Sequence, residues 1–169
     1  LIHAARRNID MTVVLYNNSI YGMTGGQYSP MTPYGSKATT APYATIEHDF
    51  DITELAKAAG ATFVARATTF HTQVLIDLIA KGIQHKGFSI IEAVSACPIS
   101  FGRQNKLGGP ADMMKWQRDH AVMLPAWNKM TDEQRQGKFP IGLLYEVTDR
   151  KEYTEAYDEL IARAQGGNK

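Results

Sequence analysis

Cysteine is almost absent from this sequence, since Cys97 is the single cysteine in 169 residues. A lone thiol excludes an internal disulfide framework, and scarcity of disulfides is typical of proteins in the reducing cytoplasm. We therefore predict a cytoplasmic location. One cysteine is also too few to hold an iron–sulfur cluster by itself, because such clusters are bound by a set of cysteine thiolates.

An excess of charge of either sign is missing as well. The formal net charge is +1 at pH 7, which gives no reason to expect a nucleic acid or an anionic membrane surface as a partner. No apolar run approaches the roughly 20 residues that a membrane-spanning helix needs, and no signal peptide is recognisable. These absences exclude nucleic acid and membrane from the predicted partners.

The sequence also lacks the motifs of several common enzyme classes. It has no G-x-S-x-G nucleophile elbow, no Walker loop and no G-x-G-x-x-G fingerprint. The histidines show no metal-ligand spacing; they are His3, His48, His71, His85 and His120. For His71 we favour a cap or a surface residue. For His48 a packing or loop-fixing role is favoured over catalysis.

What the sequence does contain is a regular alternation of short apolar segments with amphipathic ones. Buried strands are predicted at 11–16, 62–67 and 88–94, and helices at 1–8, 51–59 and 70–84. This β-α-β-α-β order predicts an α/β fold with a doubly wound, mainly parallel sheet. In the tail we predict one helix over 111–130, a late strand over 143–147 and an amphipathic helix over 152–164.

The first predicted strand ends in two asparagines, which open a long, glycine-rich and almost uncharged loop. In open α/β sheets, ligands bind outside the carboxyl ends of the strands. Asn18 offers a neutral side-chain oxygen, and the backbone carbonyl of Ile20 points the same way in an extended turn. Mg²⁺ prefers few protein oxygens together with phosphate and water oxygens. The glycines would let backbone approach a flat ligand closely.

A simple turn is the alternative interpretation of this segment, because Asn and Gly are common turn residues. The loop, however, extends to about residue 49, and loops longer than roughly 15 residues are usually functional or disordered. Its tyrosines argue against disorder; they are Tyr21, Tyr28, Tyr34 and Tyr43. We therefore favour a cofactor loop.

Cys97 follows the predicted strand 88–94, where Pro98 leads the chain out of the sheet. The residues alone leave two interpretations open: a ligand at the edge of the sheet, or a small buried hydrophobic side chain, which most lone cysteines are. The nearest cations could bind a carboxylate, but a solvated surface charge is the favoured interpretation of each; they are Lys37, Arg103 and Lys106.

A family resemblance adds to this pattern. The loop Asn-Asn-Ser-Ile-Tyr-Gly-Met-Thr-Gly-Gly-Gln-Tyr-Ser-Pro-Met-Thr-Pro resembles the second half of the thiamine diphosphate motif. It is most similar to the β subunit of 2-oxoacid:ferredoxin oxidoreductases, in particular the 2-oxoglutarate-specific branch, and the similarity extends from Leu1 to about Gln165. The resemblance implies thiamine diphosphate, Mg²⁺ and a [4Fe-4S] cluster as cofactors.

The resemblance also implies a role for individual residues. Asn18 and Ile20 would bind Mg²⁺ against the diphosphate, and Gly22 and Met23 would pack against the thiamine diphosphate. Cys97 matches the fourth cysteine of the family's cluster, which stands after a strand and ahead of a Phe-Gly-Arg segment. No residue of this chain is expected to act as a general acid or base.

The implied reaction converts 2-oxoglutarate and coenzyme A into succinyl-CoA and CO₂ while ferredoxin is reduced. An α subunit, or a fused α/γ subunit, is the expected partner, together with an N-terminal part of the same β subunit that carries a Gly-Asp-Gly segment and the other cluster cysteines. Residues 1–130 would then be the C-terminal part of the thiamine-diphosphate-binding domain, and residues 131–169 a C-terminal extension.

Two alternatives to this function stay open. The enzyme could use pyruvate or a branched-chain 2-oxoacid, because the loop carries no cation that would obviously pair with a distal carboxylate. The chain could also be a non-catalytic α/β assembly subunit that binds neither cofactor nor cluster. Asn18 and Cys97 argue against that second alternative, because a disused site has no reason to keep both kinds of ligand.

Overall fold

The computed structural model describes residues 1–166 and contains a five-stranded sheet. The strands are β1 (Met11–Asn17), β2 (Phe63–Thr68), β3 (Phe88–Val94), β4 (Ala121–Met123) and β5 (Phe139–Glu146). The helices are α1 (Ile2–Arg7), α2 (Ile52–Ala58), α3 (Thr72–Gln84), α4 (Pro110–His120), α5 (Leu124–Trp127), α6 (Asp132–Arg135) and α7 (Tyr153–Ala164). None of these helices is both long and apolar enough to cross a membrane.

The strand order in the sheet is β1-β3-β2-β5-β4. The three neighbours β1, β3 and β2 are parallel, so their carboxyl ends lie at one edge of the sheet. Strand β5 runs antiparallel to β2, and β4 runs parallel to β5. The predicted α/β fold with a mainly parallel sheet is therefore confirmed.

Helices cover both faces of the sheet. On one face Ala56 of α2 belongs to a buried cluster with Val64 and Ile90. On the other face Leu78 of α3 packs with Ile91. Successive side chains of a strand point to opposite faces. Ile90 therefore packs against the helices on one face and its neighbour Ile91 against those on the other, as the doubly wound prediction requires.

The predicted single helix over 111–130 is wrong. Helix α4 ends at His120, β4 follows, and α5 then begins at Leu124. Pro125 is tolerated in the first turn of α5, but in the interior of one long helix it would remove a backbone hydrogen bond and clash with the preceding turn. Residues 121–123 instead form a short strand beside β5.

The late strand is longer than the prediction of 143–147. It begins at Phe139 and passes through Pro140, which lies opposite Val122 of β4. β5 belongs to the same sheet as β1, β2 and β3, although it lies within the predicted extension 131–169. The division of the chain at residue 130 stays a prediction.

The segment between β1 and α2 contains no helix or strand of its own among the described residues, as the long-loop prediction expects. Side-chain hydrogen bonds hold it: Thr32 Oγ1 donates to the Ser19 carbonyl at 2.7 Å, and Thr45 Oγ1 to the Pro33 carbonyl at 3.0 Å. We call residues 18–50 the cofactor loop, after its predicted role.

Candidate functional site

The cofactor loop begins at the carboxyl edge of the sheet, directly after Asn17. Side-chain oxygens of the two asparagines turn the backbone: Asn17 Oδ1 accepts the Ser19 N–H at 3.0 Å, and Asn18 Oδ1 accepts the Ile20 N–H at 3.2 Å. Ser19 adopts a left-handed conformation with φ 62°. Two consecutive turns of the Asx type therefore determine how the start of the loop leaves β1.

Two oxygens at this turn have capacity for a cation. A side-chain amide oxygen carries two lone pairs, and Asn18 Oδ1 uses one of them for the Ile20 N–H. Within residues 1–166, no hydrogen bond is made to the carbonyl oxygen of Ile20. Neutral oxygens of this kind, few in number, fit the way Mg²⁺ is bound beside a diphosphate.

Cys97 lies against the same turn. A Cβ atom added at Gly22 would stand 3.1 Å from Cys97 Sγ and 3.8 Å from Asn18 Nδ2. At Gly26, whose φ is +85°, a Cβ would stand 3.2 Å from Ser100 Cβ. Glycine at these two positions therefore lets the cofactor loop pack directly on the segment that begins at Cys97.

A short π-helical turn holds the backbone of Cys97. It spans Pro98–Gly102, and the carbonyl of Cys97 accepts the N–H groups of Phe101 and Gly102 at 3.1 and 2.9 Å. Such turns are rare and occur frequently at functional sites. The Cys97 side chain is only partly buried, beside an apolar cluster that includes Ile20 and Met113.

Within the described part of the chain, Cys97 lies apart from other candidate metal ligands. Among residues 1–166 no group of three or more His, Cys, Asp or Glu side chains is placed to hold a metal ion. A cluster at Cys97 would therefore need its remaining ligands from another polypeptide segment.

Other predicted residues have simpler surroundings. Met23 is 99% exposed, so its predicted contact with thiamine diphosphate stays a prediction. His48 stacks on Tyr34 with ring centroids 4.9 Å apart, and the His71 Nδ1 lies 2.8 Å from Thr68 Oγ1. The three cations near the site are exposed, as the surface interpretation predicts; they are Lys37, Arg103 and Lys106.

A cavity of about 500 Å³ adjoins the start of the cofactor loop at the carboxyl edge of the sheet. Its polar wall includes Asn17, Asn18, Ser19, Asp49, Asp51, Arg66, Glu92, Ser95 and Gln117, and its apolar wall includes Met31, Phe50, Phe101, Leu107, Met113, Trp116 and Phe139. Of the five predicted site residues only Asn18 lines this cavity. The other four are Ile20, Gly22, Met23 and Cys97.

Sequence reasoning missed the charged side chains of this cavity. Arg66 Nε and Glu92 Oε2 form a buried ion pair at 2.5 Å, and Arg66 Nη2 also reaches Asp51 Oδ1 at 2.7 Å. A signal was present, because each of two predicted buried strands carries one charged residue and the two charges are opposite. Buried charges are paired, so the pattern favoured a contact between these strands.

Asp51 is the best-connected carboxylate of the site. Burial alone would raise the pKa of its carboxyl group, but the hydrogen bond from the Thr53 hydroxyl and the charge of Arg66 outweigh burial and lower that pKa below its usual range. Asp51 also caps α2, since its side chain accepts the N–H groups of Thr53 and Glu54. Its negative charge is therefore stable near neutral pH.

A family model matches the first part of the chain. The model for "Thiamine pyrophosphate enzyme, C-terminal TPP binding domain" matches residues 1–93, which include β1, the cofactor loop and most of β3.

Individual proteins are similar over more of the chain. The 2-oxoglutarate synthase subunit KorB of Methanocaldococcus jannaschii is 49% identical over 162 residues, covering 96% of this chain and 60% of the relative. The subunit of the same name from Methanothermobacter marburgensis is 52% identical over 142 residues, covering 84% of this chain and 50% of the relative. The chain thus spans half to three fifths of these relatives.

A solved structure shares the fold. It is a 2-oxoglutarate:ferredoxin oxidoreductase from Magnetococcus marinus with 2-oxoglutarate, coenzyme A and succinyl-CoA bound. The TM-score is 0.79 at 30% identity, and the match covers 99% of this chain and 57% of the other.

Proposed function

Since this chain belongs to the thiamine pyrophosphate enzymes through their C-terminal TPP-binding domain, we propose that it is part of the β subunit of a 2-oxoglutarate:ferredoxin oxidoreductase. The enzyme would convert 2-oxoglutarate and coenzyme A into succinyl-CoA and CO₂ and reduce ferredoxin. Similarity to 2-oxoglutarate synthase subunits over most of this chain supports that substrate.

One observation carries the proposal. The side chain of Asn18, through its amide nitrogen, and the thiol of Cys97 adjoin the same residue, Gly22, where a Cβ would approach both side chains. A cofactor bound through the turn would therefore lie close to a cluster bound through the thiol. Proximity of this kind is what an enzyme needs when it passes electrons from a 2-oxoacid to an iron–sulfur protein.

Each predicted site residue would have a separate binding role. Asn18 Oδ1 and the carbonyl oxygen of Ile20 would bind Mg²⁺, and Gly22 and Met23 would contact thiamine diphosphate. Cys97 would supply one thiolate ligand to a [4Fe-4S] cluster. When bound, thiamine diphosphate supplies the electron sink for decarboxylation, and the protein contributes binding and orientation.

The remaining parts would come from other polypeptide segments. A single cysteine cannot complete a cluster, so we propose an N-terminal part of the same β subunit that supplies the other thiolates. We also propose an α subunit, or a fused α/γ subunit, that contributes the acid–base group, and ferredoxin as the electron acceptor.

The substrate is tested on the assembled enzyme that contains this chain. Reduction of ferredoxin is followed with coenzyme A and one of three 2-oxoacids: 2-oxoglutarate, pyruvate or a branched-chain 2-oxoacid. We expect the highest kcat/KM with 2-oxoglutarate. A higher value with either other acid would correct the substrate. An assembly that binds neither thiamine diphosphate nor iron and reacts with none of the acids would favour a non-catalytic assembly subunit.

The cluster is tested separately in the same assembly. Cys97→Ala should lower the iron content and remove the electron paramagnetic resonance signal of the reduced cluster, while thiamine diphosphate still binds, because the two groups use different segments. If the variant keeps its full iron content, Cys97 is a partly buried apolar side chain and not a cluster ligand.

A further inference from the structure

A buried ion pair joins the neighbouring strands β2 and β3 near the start of the cofactor loop. Arg66 on β2 is 7% exposed and Glu92 on β3 is 3% exposed, and the two residues are direct partners in the register of the parallel strands. Burying both charges carries a desolvation penalty that their attraction often fails to repay. Stability alone is therefore a weak explanation for the pair.

Each carboxylate oxygen of Glu92 has its own partner. Oε2 accepts Arg66 Nε at 2.5 Å, and Oε1 accepts Asn17 Nδ2 at 2.7 Å. An ionised carboxylate only accepts hydrogen bonds, so it holds the amide nitrogen of Asn17 toward the sheet. The amide oxygen of Asn17 is then aimed at the Ser19 N–H, which it accepts at 3.0 Å.

That orientation determines the geometry of the loop's first turn. With Asn17 Oδ1 on its N–H, Ser19 stays in a left-handed conformation with φ 62°. The next residue, Ile20, then presents its N–H to Asn18 Oδ1. The two oxygens proposed for Mg²⁺ therefore depend on a side chain that Glu92 orients.

The other end of the cofactor loop is tied to the same pair. Arg66 Nη2 donates to Asp51 Oδ1 at 2.7 Å and to Thr53 Oγ1 at 3.1 Å. Asp51 directly follows the loop and caps α2. One connected network, Asn17–Glu92–Arg66–Asp51, thus links the residue before the cofactor loop to the residue after it.

We propose that Glu92 and Arg66 are positioning residues for cofactor binding: they anchor both ends of the cofactor loop and, through Asn17, orient the oxygens that bind Mg²⁺ and its diphosphate. This inference rests on the proposed function of the loop. It assigns a role to the ion pair that acts through Asn17 and Asp51, and it requires no contact between the pair and the cofactor.

The test is isothermal titration calorimetry of the assembled enzyme with thiamine diphosphate at saturating Mg²⁺, which measures the dissociation constant without turnover. Glu92→Gln keeps the side-chain size but offers one acceptor atom where the carboxylate offers two. We expect the dissociation constant to rise about ten- to hundredfold, on the scale of a lost hydrogen bond to a charged group.

A second substitution can restore the link. In the double variant Asn17→Asp, Glu92→Gln the donor and acceptor are exchanged: the new carboxylate accepts from the new amide and from the Ser19 N–H. The net charge of the network is unchanged, so we expect the dissociation constant to return toward the wild-type value. Such a rescue would not follow if Glu92 only stabilised the sheet.

Thr62→Val is the matched control, because Thr62 is a buried polar residue at the opposite edge of the same sheet. It should lower stability and leave the dissociation constant unchanged. An unchanged constant in Glu92→Gln, or a change no larger than in Thr62→Val, overturns the proposal.

If the Glu92→Gln variant does not assemble into the enzyme, the same titration is made with Asp51→Asn. This variant keeps an oxygen to cap α2 but removes the charge that faces Arg66. It should raise the dissociation constant for thiamine diphosphate by a smaller factor than expected for Glu92→Gln. An unchanged dissociation constant overturns the proposal. A wild-type enzyme that binds no thiamine diphosphate would overturn the proposed function and this inference together. Equal binding by the wild type and Glu92→Gln would overturn the inference alone.

Discussion

The two edges of the parallel sheet both carry buried polar groups, but they use them differently. At the amino edge, Asn8 Oδ1 accepts the Thr62 hydroxyl at 2.7 Å and the Phe88 N–H at 2.9 Å. Asn8 Nδ2 donates to the carbonyls of Lys151 and Arg150 at 3.0 and 3.3 Å. The side chain of Asn8 thus uses its two donors and two acceptors within the protein.

The carboxyl edge leaves some of its polar capacity free. The carbonyl oxygen of Ile20 accepts no hydrogen bond within residues 1–166, and Asn18 Oδ1 uses one lone pair. The network of Glu92 and Arg66 contains charges, whereas the Asn8 network at the amino edge joins neutral groups. A saturated neutral network holds chain segments together and has nothing left for a ligand. A turn whose oxygens can still accept, next to an ion pair, is suited to binding a charged cofactor.

The largest expected effect comes from breaking the ion pair of the carboxyl edge. Arg66→Met leaves the buried carboxylate of Glu92 without its cation, which should lower the free energy of unfolding by about 3–5 kcal/mol. Hydrogen exchange at the amides of β2 and β3 in the assembled protein measures this loss. The double variant Arg66→Met, Glu92→Leu should recover most of it, and a single variant as stable as the wild type would contradict the buried pair.

The next largest effect is on cofactor binding at the carboxyl edge. Asn18→Ala removes an oxygen from a metal site with few protein ligands, so the free energy of thiamine diphosphate binding should weaken by about 1–3 kcal/mol. Calorimetric titration in the presence of Mg²⁺ checks this, with exposed Asn128→Ala as the control. Unchanged affinity would remove Asn18 from the proposed metal site.

At the amino edge we expect the opposite result, which is lower stability with unchanged cofactor affinity. Thr62→Val removes the hydroxyl that donates to Asn8 and lies 2.8 Å from His85 Nε2. We expect a loss of about 1–2 kcal/mol in the free energy of unfolding, at the low end for a buried polar group because Asn8 keeps the Phe88 N–H. Hydrogen exchange should report this loss while cofactor affinity stays the same; a weakened affinity would show that the two edges are coupled.

The smallest effect is a pH dependence that both edges share. Burial lowers the pKa of His71 at the carboxyl edge, and burial also lowers the pKa of His85 at the amino edge, against the charges of Glu146 and Asp10. The unfolded chain therefore binds more protons as the pH falls through about 6.5, so stability should decrease from pH 7 downward until the folded pKa values are reached.

Single substitutions assign this slope to each edge. His71→Gln and His85→Gln should each flatten part of the decrease in melting temperature between about pH 7 and pH 5.5. A slope that neither substitution changes would mean that other groups cause it.

The parallel half of the fold could be predicted because its signals are local. The apolar run of β3 and the alternation of helices and strands follow from spacing along the chain. The tail was predicted less well, since Pro125 and Pro140 do not reveal that the segments around them pair as β4 and β5. Strand β5 also pairs with β2, which lies much earlier in the chain, and such pairing depends on tertiary contacts that no local pattern encodes.

The candidate site divides in the same way. The sequence by itself determined the chemical character of the Asn17–Asn18 turn and of Cys97, because amide oxygens and a thiol have fixed ligand preferences. Only the tertiary structure brought Gly22 against Cys97 and joined Arg66 to Glu92. Both contacts unite residues from different strands and loops, and such neighbours are decided by the register and crossover of the sheet, which bury charges only where the fold can pair them.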